Sequence, residues 1–368
     1  MSRAILMLVE DPGAANFAAP MPAALGPLCI DCHLLANGGA ADQLARLGQP
    51  FHRFDNALAP SELIAQHAPR LVAVGTSENP DGYGLRLIDT AREAGIPTVG
   101  LVDGPASAAY RFRGRGATAT AHAPDHVLVP DEPTRQDYIR AGFAAGRVHA
   151  VGHPLYDRVR AARGELGRIP KEEWRRTLFP QIPAEPPLVL FLAELSSGLD
   201  EAMFRRSPDY TLHGRGISER RTDIVLEEVI DALAGLTPEP ALVLRLHPKT
   251  RPADFCRYLV EIAAVSEGGS PWEAVMAADL VIGLSTILLV EAALLGRPTL
   301  SVLPRPTEAR LLPTIAAGIT PCATRRDEVA SAVGRALREP APLEAKLDRA
   351  FPPGGMARAA SLLQAMLV

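Results

Sequence analysis

Three short groups of residues have types and positions suited to chemistry on a phosphate-bearing substrate: Asp103-Gly104, His247-Pro248-Lys249 and Ser285-Thr286. A carboxylate at the end of a strand, as Asp103 would be, can accept a proton from a substrate hydroxyl. The same aspartate also suits the turn before Pro105. His247, fixed by the proline that follows it, is placed to donate a hydrogen bond to a phosphate. Asp103 and His247 are the candidate catalytic residues. Ser285 and Thr286 open an apolar helical run, where hydroxyls cap any helix, and where exposed N–H groups and the helix dipole also suit a phosphate. Glu291, further along that run, is a candidate partner for ribose hydroxyls. With Ser196, Ser197, Gly198, Pro248 and Lys249 these residues make the expected donor-binding set.

A second set points to an acceptor. Gly13 and two alanines in the run Glu10-Asp11-Pro12-Gly13-Ala14-Ala15-Asn16 let backbone N–H groups approach an anion at a helix start, although a tight strand-to-helix turn wants the same small residues. The stretch Tyr110 to Arg115 is rich in arginine, which suits an acidic acceptor or a solvated loop. Gly13, Asn16, Gly104, Arg111 and Arg113 are the candidate acceptor-binding residues.

Several chemistries lose ground. Gly114-Arg115-Gly116 and Gly214-Arg215-Gly216 do not extend to GxGxxG, and no Walker A sequence is present. Cys29 and Cys32 form a CxxC inside an apolar, strand-like run with no second CxxC beyond it, so packing is the better reading than redox or metal work. No metal-binding carboxylate pair stands out.

The elements that would carry these residues alternate along the chain. Ile5–Val9, Leu71–Gly75, Thr98–Val102 and His126–Val129 read as buried parallel strands. Asn16–Leu25, Ala40–Leu47, Pro60–His67, Gly84–Ala94 and Asp131–Ala141 read as helices between them. Prolines gather between Gly152 and Pro187, and the alternation then restarts. Leu188–Ala193, Leu242–Leu246, Leu280–Gly283 and Thr299–Leu303 are expected strands, with helices at Ser218–Ala234, Trp272–Ala277 and Ser285–Leu295. From Arg325 onward the tail reads as helix, broken at Pro352–Gly355. The expectation is an α/β chain of two Rossmann-like, doubly wound domains in tandem, 1–152 and 188–350, joined by a linker at 153–187 and followed by a C-terminal helix at 351–368. Asp103, His247 and Ser285-Thr286 come just after expected strands, where ligands of such sheets bind.

Length and composition agree. At 368 residues with 47% apolar content, two cores can be buried. A net charge of −4 argues against a sequence-independent nucleic-acid binder. The apolar start is closed by Glu10 and Asp11, unlike a secretory signal. Leu280 to Leu295 is too short for a membrane span and carries Glu291. Four cysteines in a chain of this length suit a reducing compartment, so the expected location is cytoplasmic.

Asp103-Gly104, His247-Pro248 and Ser285-Thr286 occur in the order of three motifs of bacterial sialyl- and polysialyltransferases, which they resemble; Val102 stands where the first motif has a further acidic residue. Val151-Gly152-His153-Pro154-Leu155-Tyr156-Asp157 is similar to a signature of lipid A disaccharide synthase. Ala277 to Pro298, with Glu291-Ala292 and Gly296-Arg297-Pro298, resembles the donor segment of GT-B glycosyltransferases. With Thr307-Glu308 it is also similar to the non-hydrolysing UDP-N-acetylglucosamine 2-epimerases, as is the ending Gly354-Gly355-Met356-Ala357 with its apolar helix.

The resemblance implies a metal-independent, inverting GT-B glycosyltransferase of two facing Rossmann-like domains, 1–152 for the acceptor and 188–350 for the donor, with the C-terminal helix at 351–368 crossing back to the first domain. Asp103 would be its base, His247, Ser285 and Thr286 would stabilise the leaving phosphate, and Glu291 would position the ribose. The partners implied are a UDP-, CMP- or CDP-linked sugar, taken as substrate with no cofactor, and a hydroxyl acceptor open to acidic groups. A peripheral membrane contact and a monomer or homodimer belong to the same expectation, and nucleic acid does not. The alternative is a UDP-sugar 2-epimerase, although Thr76-Ser77 stand where that family has an acidic residue, and Glu194-Leu195-Ser196-Ser197-Gly198 replace its His-Arg-Arg-Glu-Asn segment. A non-catalytic sugar-nucleotide binder is the third.

Overall fold

The computed structural model describes residues 3–77, 79–104, 108–195, 201–338 and 344–367, without the side chains of Glu201 and Ala202. The chain forms two compact units, Met1–Arg158 with Phe351–Val368, and Val159–Ala350. Each is built on a parallel sheet with helices around it.

In the first unit the strands are β1 (Ala4–Val9), β2 (Asp31–Ala36), β3 (His52–Arg53), β4 (Leu71–Gly75), β5 (Thr98–Leu101), β6 (His126–Val129) and β7 (Val148–Ala150), in the order β3-β2-β1-β4-β5-β6-β7. Every residue of β1 and β4 is buried. Continuous apolar runs of this kind are what a strand covered on both faces requires. The helices are α1 (Pro12–Ala18), α2 (Met21–Leu25), α3 (Gly38–Arg46), α4 (Pro60–His67), α5 (Tyr83–Glu93) and α6 (Glu132–Arg140). The chain passes into the second unit within α7 (Pro154–Leu166).

The second unit continues with α8 (Lys171–Leu178), β8 (Leu188–Leu192), α9 (Glu201–Phe204), α10 (Arg221–Ala234), β9 (Ala241–Arg245), β10 (Ala264–Ser266), α11 (Pro271–Ala277), β11 (Leu280–Gly283), α12 (Ile287–Leu294), β12 (Thr299–Val302), α13 (Pro313–Ala316), β13 (Cys322–Ala323), α14 (Arg326–Arg338) and α15 (Glu344–Ala350). Its sheet runs β10-β9-β8-β11-β12-β13. The last helix, α16 (Gly355–Ala365), belongs to the first unit, where it packs on α2. In each sheet the strand order reverses beside the first strand, between β1 and β4 and between β8 and β11. Ligands of open sheets bind at such switch points.

The stretch expected as a linker, 153–187, carries α7 and α8, opened by Pro154 and capped by Pro170, and two other readings of the sequence need correction. A helix start tolerates proline, which lacks the N–H that would be unpaired there anyway. The single helix expected at Asn16–Leu25 is two, α1 and α2, meeting at Ala19-Pro20. The apolar run around the CxxC becomes a strand only at Asp31, after a short turn that leaves Cys29 left-handed (φ 56°). Among the described residues no helix is long and apolar enough to cross a membrane.

Candidate functional site

Asp103 lies just past β5 and draws in groups from neighbouring strand ends of the first unit. Gly13, in the first turn of α1, is so close that a Cβ there would stand 1.7 Å from Asp103 Oδ2. The Thr76 hydroxyl, after β4, donates to Asp103 Oδ1 at 3.5 Å, and the buried Arg111 pairs with the same oxygen at 3.8 Å. Both contacts are long, so among the described residues the carboxylate is held loosely and keeps lone pairs to offer. Among the described residues the buried Tyr138 hydroxyl has no hydrogen-bond partner. Burial raises its pKa, with the charges of Arg111 and Asp103 acting on it in opposite senses.

His153 completes this group. Its ring is buried between Phe17 and Tyr156, with centroids 5.3 and 4.9 Å away. Nδ1 accepts the Leu155 N–H at 3.1 Å. Burial pushes its pKa down to about 4.

Other acidic residues at these strand ends are already engaged. Glu10, after β1, accepts the N–H groups of Tyr83 (3.1 Å) and Gly84 (3.0 Å) at the start of α5. Asp131, after β6, caps α6 through the Thr134 N–H at 2.8 Å. Of the expected acceptor residues, Gly13 and Arg111 converge on Asp103, and Gly104 follows it in the chain. Asn16 is turned to α3, where its Oδ1 accepts from Gln43 at 2.8 Å. Arg113 lies over the Tyr110 ring, 4.0 Å from its centroid.

In the second unit His247 follows β9, half-buried, with Nδ1 accepting the Lys249 N–H at 3.1 Å. This repeats the geometry of His153-Pro154-Leu155, and it directs the imidazole's Nε2–H away from its own turn. Pro248 and Lys249 are exposed. The Thr286 hydroxyl accepts the Leu288 N–H at 3.3 Å, as a cap does.

The N–H groups of Ser285 and Thr286 are not free for a phosphate. They donate to Glu194 Oε1 at 2.6 and 2.7 Å. Arg221 Nη1 holds the other oxygen of Glu194 at 2.7 Å, while its Nη2 meets Ser285 Oγ at 3.0 Å and its Nε meets Glu308 Oε2 at 2.8 Å. Arg221 is 1% exposed and Glu308 4%. Burial alone would lower the guanidinium's pKa, but the charges of Glu194 and Glu308 outweigh it and raise it. Glu291 is buried and takes the Trp272 indole N–H at 2.5 Å; burial pushes its carboxyl up to about 7. Among the described residues its hydrogen-bond partner is thus a core side chain. Ser196, Ser197 and Gly198 lie outside the described residues.

Sequence reasoning passed over Glu194, Arg221 and Glu308 as a unit, and His153 as a neighbour of Asp103. The partners of Arg221 are 27, 64 and 87 residues away in the chain, so no local spacing betrays them. Glu194 carried one usable signal: it follows β8 at the switch point.

No family model matches the chain, and no curated protein matches it in sequence. Solved structures do match. The UDP-GlcNAc 2-epimerase of Methanocaldococcus jannaschii is 15% identical, with 98% of this chain and 99% of that one covered at a TM-score of 0.68. The UDP-GlcNAc 2-epimerase of Neisseria meningitidis, bound to UDP-GlcNAc, is 14% identical over 99% of each chain, with a TM-score of 0.65. Anabaena HepE in complex with UDP-glucose is 14% identical over 98% and 99%, with a TM-score of 0.64. The fold is therefore the GT-B-like, two-sheet α/β fold of these proteins. The likeness shows the fold alone and lends no support to the resemblance to sialyltransferases or lipid A disaccharide synthase.

Proposed function

We propose that this protein is an enzyme acting on a nucleotide-activated sugar, and that its reaction is 2-epimerisation. The observation that carries the reading is the likeness along 98% of the chain to a UDP-GlcNAc 2-epimerase. The Asp103 site supports an acid–base step. A carboxylate past a central strand, beside a buried arginine and with few bonds of its own, is suited to moving a proton.

Transfer of the sugar to a hydroxyl acceptor is the second reading, and one observation favours it. Epimerisation by elimination and re-addition of the nucleotide needs several acid–base groups. At the first unit's strand ends Glu10 and Asp131 are bound to backbone N–H groups, and Thr76 follows β4. Asp103 alone suits the single base that transfer needs.

Proton NMR in D₂O with UDP-GlcNAc, then with other UDP-, CMP- and CDP-linked sugars, tests both. Epimerisation would give the 2-epimer with solvent deuterium at C2. Transfer would release nucleotide only when an acceptor is added. In either case Asp103→Asn should cut turnover by roughly 10²–10⁴-fold. Binding without turnover would leave a non-catalytic sugar-nucleotide protein, and neither binding nor turnover with any donor would overturn the proposal.

A further inference from the structure

Three side chains at the starts of β6 and β7 form a hydrogen-bonded chain that the proposed reaction does not use. His126 opens β6, and Arg147 and His149 stand on either side of Val148 at the start of β7, the last strand of the first unit's sheet. His126 Nδ1 lies 2.9 Å from His149 Nε2, with ring centroids 5.2 Å apart, and Arg147 Nη1 lies 2.9 Å from His126 Nε2.

A guanidinium can only donate. His126 Nε2 must therefore accept, so its one proton sits on Nδ1 and is donated to His149 Nε2, which leaves the His149 proton on Nδ1. Both rings are neutral in this arrangement, and Arg147 sets both tautomers. No singly protonated arrangement keeps the two bonds. A proton added to His126 turns an Nε2–H against Arg147. A proton added to His149 keeps the bond between the rings only if its Nε2–H donates to His126 Nδ1, which moves the His126 proton to Nε2, again facing Arg147. A metal ion between the rings meets the same obstacle, since metal on His126 Nδ1 would leave its Nε2–H facing Arg147.

We propose that Arg147, His126 and His149 are a proton-operated latch on the edge of the first unit's sheet, closed while both rings are neutral and opened at Arg147 by the first proton taken up. Burial and then the charge of Arg147 hold the pKa of His126 below the usual 6.5, with Asp125 acting against them. Burial, then His126, Arg135 and Arg147, lower that of His149. Arg135, on α6, donates to the carbonyls of Val148 and Ala145 and to Glu132, which keeps a fixed positive charge beside β7. From α5, Asp89, Arg92 and Glu93 line one groove with Asp125, His126 and Arg147. Asp89 is paired with His122, and Asp125 accepts the Thr98 N–H and hydroxyl. The exposed Glu93 offers a released Arg147 a new partner.

Long-range ¹H–¹⁵N spectra of protein labelled at histidine, assigned with His126→Gln and His149→Gln, test the closed state. At about pH 8 both rings should show the Nδ1–H tautomer, the minor one in a free histidine. Arg147→Met, a change at an exposed side chain, should release His126 to a mixture of tautomers and move its titration midpoint up. Thermal melting tests the opening. With folded pKa values below 6.5 the unfolded chain takes up protons first, so the stability this pair contributes is lost as pH falls below 6.5. The wild type should therefore lose more melting temperature between about pH 8 and about pH 5 than the double variant His126→Gln/His149→Gln. Other titrating groups, Glu291 and His67 among them, are common to both proteins and cancel. An Nε2–H tautomer on either wild-type ring, an unmoved His126 midpoint in Arg147→Met, or equal pH dependence of melting in the wild type and the double variant would overturn the latch.

Discussion

Gly13→Ala would displace the Asp103 carboxylate without changing any ionisable group. The new Cβ would stand 1.7 Å from Asp103 Oδ2 and 2.8 Å from its Cγ, far inside any non-bonded contact, so the carboxylate must swing away. Gly13 lies in α1 with no left-handed backbone to strain, and alanine in a helix is better than glycine by up to about 1 kcal/mol. Against this, an off-rotamer aspartate costs roughly 0.5–1.5 kcal/mol. The contacts it gives up, to Thr76 at 3.5 Å and Arg111 at 3.8 Å, are long and contribute little. The opposing terms cancel to within about 1 kcal/mol, which moves the melting midpoint by only ~2–4 °C in a unit of this size. Activity has no such compensation, since a misplacement of about 1 Å can cost ~10²-fold in rate. Calorimetric melting and the NMR turnover assay, run on one preparation beside Asp103→Asn, check both halves. Wild-type turnover in Gly13→Ala would refute the reasoning, because a base that tolerates displacement is not the base. A large fall in melting temperature would refute the cancellation.

Arg221→Met should destabilise the protein by about 3–5 kcal/mol in urea unfolding, because it leaves Glu308 and Glu194 with uncompensated buried charge. An unchanged midpoint would mean that this network contributes no stability. Glu291 has its folded pKa raised from 4.5 to about 7, so the unfolded chain ionises first and stability falls as pH rises through that window. Glu291→Gln should therefore melt higher than wild type above pH 7, by a difference on the order of 3 kcal/mol, and the two curves should converge near pH 4.5. Parallel curves would contradict the assignment. Glu194→Ala opens the Ser285 and Thr286 N–H groups, and titration calorimetry with UDP should show binding tightened by about tenfold or more once that like charge is gone. Unchanged affinity would mean that the phosphate is held elsewhere.

What the sequence revealed and what it hid follow from range. β4, β6 and β11 could be read to the residue because a buried parallel strand is a continuous apolar run. β3, at His52–Arg53, was invisible: two exposed polar residues carry no pattern, and only pairing with Leu35 and Ala36 makes them a strand. Asp103 could be picked out because it ends a strand, and Gly13 because a strand-to-helix turn favours glycine. Their contact spans 90 residues of chain and had no signature. Ser285 and Thr286 were recognisable as a helix start, but the occupant of their N–H groups was not, since Glu194 is 91 residues away from Ser285.

The two units share a device that bears on which carboxylate does chemistry. In each, a glutamate follows the sheet's first strand, Glu10 after β1 and Glu194 after β8. Each glutamate accepts two successive backbone N–H groups from the segment that starts the helix across the switch point: Tyr83 and Gly84 on the β4 side, Ser285 and Thr286 on the β11 side. Helix starts favour negative charge, and here the chain supplies it. These carboxylates have their oxygens committed to the scaffold and hold the switch-point loops in register, so they have little left for a substrate hydroxyl. Asp103 differs in kind. Among the described residues its side-chain partners are Thr76 and Arg111, and both stand at long distance. A proton acceptor needs an uncommitted lone pair, and among the described acidic residues at the first unit's strand ends Asp103 comes nearest to offering one.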